Sequence, residues 1–220
     1  MKEIQQTDQH DSLKGKEKLQ LAIQTGLQLI PYIGAAASTA YFGFQQEKRI
    51  KRIETFYIEI AAEIHSISDK IAKFEDHNEN ELMTILEDFN EKIEKQYIEK
   101  KVDYFKQYFK NTLISPVNGN FDKRIFFLDV LYRMTTLEAD LLIFFCSDIH
   151  NKFLSAKDIP LGSTGIFEKK GALERLINYG FLDSYTIVPT TTGNIVINNE
   201  AQKYKISEFG IEFFHFCLNR

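Results

Sequence analysis

The chain reads as mainly α-helical. An antiparallel helical bundle is expected over residues 13–114, and a smaller helical module with a short β-wing over 122–220. Four prolines and 11 glycines in 220 residues leave room for long helices with few breaks. Apolar residues recur every three or four positions from Ile50 to Phe74, the mark of a buried helical stripe. Near the C-terminus that period gives way to short β-branched runs around the turn Thr192-Gly193-Asn194.

The composition, 44% hydrophobic and 13% aromatic, is ample for a packed core. A net charge of −4 argues against broad, nonspecific affinity for nucleic acid, which needs a dense positive field. Cys146 and Cys217 lie in apolar helical contexts (LIFFCSD and FFHFCLN) and are expected as two buried thiols of a reducing cytoplasm. The polar start MKEIQQTDQHDSLKGKEK has no apolar core of a secretory leader, so a cytoplasmic location is expected.

From Gln20 to Gln46 there is no charged residue. Pro31 divides the stretch, since it lacks an amide donor and clashes with the preceding turn. Two short helices are expected, over 13–30 and 33–46. The second is rich in small residues, with Gly34, Ala36, Ser38 and Ala40 offering a face that another helix can approach closely. Lysines 14, 16 and 18 precede the segment, and Lys48, Arg49, Lys51 and Arg52 follow it. Two readings stand: membrane association, with the basic flanks against anionic headgroups, or a hydrophobic hairpin buried in the bundle.

Ile50, Ile53, Tyr57, Ile60, Ile64, Ile67, Ile71 and Phe74 then follow a heptad spacing. This seam packs either inside one chain or across a homodimer. The polar run Glu75–Glu81 ends it. A return helix is expected over 81–114, with Leu82, Ile85, Leu86, Phe89, Ile93, Ile98, Val102, Phe105 and Phe109 as its stripe. SPVNGN (115–120) marks the boundary between modules. Asp122 is expected to cap a linking helix over 123–134.

In the second module, Thr135 and Glu138 have the spacing of a capping box, opening the helix LEADLLIFFCSDIH. Ser155 is placed to cap a short helix (AKDI), and Ser163 or Thr164 to cap the next, GALERLINYG, which Gly180 closes. Strands are expected near 185–189, 194–198 and 203–206. Ser207 then caps a terminal helix, EFGIEFFHFCL.

This order, helix, short helix, helix, wing and helix over Thr136–Leu218, resembles the winged helix-turn-helix superfamily. That resemblance implies a binding role, to duplex DNA or to a partner protein. By it, Ser163, Thr164, Lys169, Lys170 and Arg175 on the third helix, and Lys203 and Lys205 near the wing, would contact DNA. The pattern departs from a DNA reader in charge. The wing tip TTTGNIVINNEAQ holds no Arg or Lys, and from Met134 onward eight Lys/Arg face ten Asp/Glu. A second resemblance covers Leu29–Ile64. Pro31, Gly34, Phe42-Gly43-Phe44 and Lys48-Arg49 are similar to the start of a group of uncharacterised bacterial proteins found on prophages and in phage-defence neighbourhoods. It implies a bacterial conflict or regulatory setting.

No catalytic constellation is evident. His10, His65, His77, His150 and His215 form no metal-ligand spacing with one another or with cysteines, and there is neither a dinucleotide fingerprint nor a phosphate loop. The expectation is a non-enzymatic protein without cofactor or metal. It is either a regulatory or phage-defence component, or a dimeric DNA-binding transcriptional regulator with the bundle as its dimerisation domain.

Overall fold

The computed structural model describes residues 40–67, 69–147, 152–160, 164–186 and 202–219. They are mainly helical, with one small three-stranded antiparallel sheet. The chain divides into two compact units between Asp129 and Val130.

The first unit opens with α1, Ala40–Ser66. Residues 40–46 run straight into the Ile-rich stretch, so there is no break at 46; the rest of the helix expected over 33–46, and all of the one over 13–30, lie outside the described residues. The seam helix also stops early, at Ser66 instead of Phe74. There the Ser66 hydroxyl donates to the Glu63 carbonyl (2.7 Å), and the Ile67 amide bonds only three residues back, to Ile64 (3.2 Å). A serine that competes for backbone carbonyls weakens a helix end. The outgoing chain then docks elsewhere, the Ala72 amide donating to the Leu113 carbonyl at 3.0 Å. Ile67 and Ile71 lie past the helix, and Phe74 begins a 3-10 turn, Phe74–Asp76.

The return segment is two helices, not one: α2, Glu79–Lys95, capped by the Asn78 side chain, and α3, Glu99–Ile114. Gln96 makes the corner. Its buried side-chain oxygen accepts from the Tyr97 and Ile98 amides (3.1 and 3.0 Å), which would otherwise be unpaired donors at the start of α3. The reversal is required by the core. The Phe89 ring lies 5.6 Å from Phe105 and 5.2 Å from Phe109. One straight helix would hold residues 89 and 105 about 24 Å apart.

Helix directions follow from side-chain pairs. Arg52 donates to the Glu94 carbonyl while Tyr57 donates to Asn90, so α1 and α2 are antiparallel. Glu59 pairs with Lys106 and Glu63 with Lys110, so α1 and α3 are parallel. Phe56, Phe89 and Phe109 meet at the centre, with Ile53, Tyr57, Ile60 and Ile64 buried around them. Each such burial stabilises by roughly 1.5–3 kcal/mol, against about 0–1 kcal/mol for a surface ion pair. The aromatic centre therefore carries the unit, and the ion pairs set its alignment.

The loop 115–120 is gripped from both sides. The Val117 amide donates to His77 Nδ1 (3.1 Å), and the Asn78 amide donates to the Val117 carbonyl (2.7 Å). Helix α4, Phe121–Arg133, then carries the chain from one unit into the next. It starts before Asp122, which lies in its first turn and is not its cap. A carboxylate there still favours the helix dipole.

In the second unit, α5 is Thr136–Phe145, and its capping box is formed as expected. Strand β1, Leu154–Ser155, follows. The short helix expected at AKDI is instead a tight turn, because Asp158 accepts from both the Ser155 amide and its hydroxyl (3.0 and 2.7 Å) and pins the segment. Helix α6, Ile166–Asn178, starts at Gly165, whose amide donates to the Glu168 carboxylate (3.0 Å). Thr164 is not its cap, and Ser163 lies outside the described residues. Gly180 ends α6 with φ +76, in a region few other residues enter. The Gly180 amide donates to Ile177 and the Phe181 amide to Leu176, which closes the last turn.

Strands β2, Leu182–Thr186, and β3, Gln202–Ile206, pair antiparallel with Leu182 opposite Ile206. The first wing strand thus begins earlier than its expected 185. The expected strand at 194–198 and its turn lie outside the described residues. The sheet order is β1-β3-β2. Ser207 caps α7, Glu208–Phe213, which widens into a π-helical turn, Phe214–Leu218. Ala172, Leu173 and Leu176 of α6 are buried with Phe181 and Phe213, whose rings lie 4.4 Å apart.

Candidate recognition surface

The residues suggested for DNA contact do not form one patch. On α6, Arg175 pairs through Nε with Glu138 of α5, a carboxylate only 1% exposed. The other Glu138 oxygen accepts from the Thr135 amide (2.7 Å), so this buried acid joins the α5 cap to α6. Lys169 donates to the Ile159 carbonyl at 2.8 Å and ties α6 to the turn after β1. Lys170 and Thr164 are half-buried. The solvent face of α6 is Phe167, Glu168, Gly171, Glu174, Arg175 and Asn178. It holds two carboxylates and one guanidinium that already has a partner. Phe167 there is 84% exposed.

Lys203 and Lys205 stand in a different setting. Tyr204 and Ile206 of β3 are buried, and side chains alternate along a strand, so the two lysines project from the outer face of the sheet. Tyr185 is opposite Lys203 and Asp183 opposite Lys205, which puts them on the same face. Phe153, just ahead of β1, reaches that face too. Its ring meets Tyr185 edge-on, with centroids 4.7 Å apart and planes at 73°. The Lys205 ammonium sits 5.8 Å from the centre of the Phe153 ring.

The two flanking strands thus bring an aromatic pair together over a central strand of lysines. Tyr185 is 42% exposed and Phe153 37%. Exposed Lys152 adjoins Phe153 in the chain, and exposed Lys157 lies in the following turn. Among the described residues, Asp158 and Asp183 are the acids nearby. Asp158 is held below the usual carboxylate range, first by its hydrogen bonds from Ser155 and then by Lys203. Sequence reasoning named the two lysines and missed both rings. The available signal was Tyr185 at an outward position of a polar strand, and Lys152-Phe153 before a short one.

The other suggested sites divide between described and undescribed residues. Gly34, Ala36 and Ser38 lie outside the described residues, as does most of the uncharged segment, and Ala40 is the first residue of α1. Among the described residues no helix is long and apolar enough to cross a membrane. Ile53, Tyr57, Ile60 and Ile64 of the seam are covered by helices of their own chain. Cys146 and Cys217 are unbridged thiols, Cys217 buried and Cys146 half-buried. Burial pushes Cys146 up to about 12, so it stays protonated at neutral pH. Among the described residues no cluster of His, Cys, Asp and Glu is placed to hold a metal ion.

Compared with known proteins, the chain matches no family model, no curated protein and no solved structure.

Proposed function

We propose that this chain is a non-enzymatic recognition component of the bacterial regulatory or phage-defence kind. Its C-terminal unit serves as a winged helix that binds a macromolecular partner, and its N-terminal helices hold copies together or at a membrane. The supporting observation is the topology of the second unit. A helix precedes β1, a second lies between β1 and β2, and the strands pair in the order β1-β3-β2. That arrangement leaves one sheet face and one helix face on the outside. The departure is the turn at Ser155–Asp158 where a short helix was expected.

The test is a titration of the full chain with labelled duplex DNA, single strands and anionic vesicles, followed by amide hydrogen exchange on each complex. The proposal expects at least one saturable partner whose protection maps to residues 130–220. Protection confined to the first unit, or no saturable partner in any arm, would sink it. Tight, salt-sensitive duplex binding by a dimer would favour the conventional transcriptional regulator instead.

A further inference from the structure

We propose that the outer face of the three-stranded sheet binds single-stranded nucleic acid, with bases stacking at Tyr185 and Phe153 and phosphates meeting Lys203 and Lys205. This rests on the second unit being a recognition module, and it names both the face and the ligand.

The chain from Met134 onward has more acid than base, eight Lys/Arg against ten Asp/Glu. Yet Lys203 and Lys205 cross this one face, with exposed Lys152 and Lys157 beside β1 in the chain, and Asp158 and Asp183 as its acids among the described residues. An overall negative chain therefore concentrates lysine along one strip. The strip also displays two aromatic rings that the core does not need. Tyr185 and Phe153 remain 42% and 37% exposed, whereas Phe145, Phe181 and Phe213 of the same unit are fully buried.

The geometry then selects the ligand. Duplex DNA hides the faces of its bases, and duplex affinity draws on many phosphate contacts. Rings interleaved with a few lysines suit a strand whose bases are open, because every base has a face to stack and each stacking contact is sequence-tolerant. Lys203 and Lys205 are two residues apart on one strand, about 6.8 Å, a step matched to successive phosphates of an extended chain. The Lys205 ammonium near the Phe153 ring braces that ring, and Tyr185 is the more exposed platform. The solvent face of α6, with Glu168 and Glu174, offers no comparable attraction for phosphate.

The experiment is fluorescence anisotropy with the full chain. The probes are labelled twelve-residue oligo-dT and oligo-U, a hairpin duplex of equal length, and an acidic tyrosine-containing peptide. Either single strand should bind, and comparing the two tells DNA from RNA as the preferred source. Tyr185→Leu should weaken binding about tenfold, while Tyr185→Phe should leave it unchanged. Removing Lys203 and Lys205 should lower the slope of log K against log salt by about 0.7 per lysine. Phe167→Ala, on the solvent face of α6, is the control expected to bind as the parent does. Circular dichroism confirms that each variant is folded. The proposal is overturned if the duplex or the peptide binds as tightly as the single strands. It is also overturned if no single strand saturates, or if the Tyr185→Leu and lysine variants bind like the parent. In those cases, hydrogen-exchange protection of residues 130–220 by another partner would leave the recognition reading standing.

Discussion

Glu138 and Arg175 form an ion pair between α5 and α6 in which the carboxylate is buried and the guanidinium is about half in solvent. The sequence offers Arg175 as a DNA contact. The structure gives it a partner 37 residues away.

Arg175→Ala leaves the Glu138 charge buried with only the Thr135 amide to stabilise it. We expect a loss of roughly 2–4 kcal/mol in urea unfolding of the second unit. Glu138→Gln in the same background should recover part of that loss, because it removes the stranded charge. A double-mutant cycle with no coupling energy would show that the pair is structurally idle. Loss of ligand binding in Arg175→Ala is accordingly not evidence of direct contact unless folding is measured alongside.

Gly210, in the first turn of α7, has no room for a side chain. A Cβ there would come within 2.2 Å of the Phe181 carbonyl oxygen and 2.8 Å of Ile206 Cδ1. The backbone of Phe181 cannot move easily, since its carbonyl accepts from the Ser207 amide at 3.0 Å. Gly210→Ala should destabilise the second unit by about 1–3 kcal/mol through overpacking. The natural comparison is Gly171→Ala, where a Cβ meets nothing and alanine is the better helix former. Equal thermal midpoints for the two variants would contradict this reading.

His77 makes the first unit sensitive to acid. Its Nδ1 accepts from the Val117 amide, so the ring is neutral, and its buried Nε2 has no hydrogen-bond partner among the described residues. Burial holds it below its ordinary value of 6.5; Asp76 pulls the other way, and Arg124 adds a smaller push down. The folded state therefore binds fewer protons than the unfolded one below pH 6.5. Its contribution is fully present above that pH and is lost as pH falls toward the folded value, at no more than about 1.4 kcal/mol per pH unit. Urea midpoints between pH 7 and pH 5 should fall less steeply in His77→Gln than in the parent. Parallel slopes would remove His77 from the account.

Much of the local structure was legible. Thr135 and Glu138 form their capping box, Gly180 closes α6 in the left-handed region, and Ser207 caps α7. The stripe Leu82, Ile85, Leu86, Phe89 is buried as its period implies. The errors fall where helices end. Ser66 and Gln96 carry no proline or glycine to announce a break, and AKDI has helical residues but is held as a turn by Asp158. The basic residues of α6 looked like one recognition set because spacing along a helix says nothing of partners on other elements.

What the sequence determined by itself is what acts within a turn or two: caps, the apolar period of each helix, and the glycine at a positive φ. Those effects depend on neighbours three or four residues away, which a linear reading contains. Tertiary structure alone decided that α2 and α3 fold back to pack Phe89 against Phe105 and Phe109. It also decided that Arg175 answers a buried Glu138, and that Phe153 and Tyr185 meet over Lys203 and Lys205. These outcomes join distant parts of the chain, and burial and pairing between distant residues outweigh the few tenths of a kcal/mol by which local propensity favours one backbone state over another.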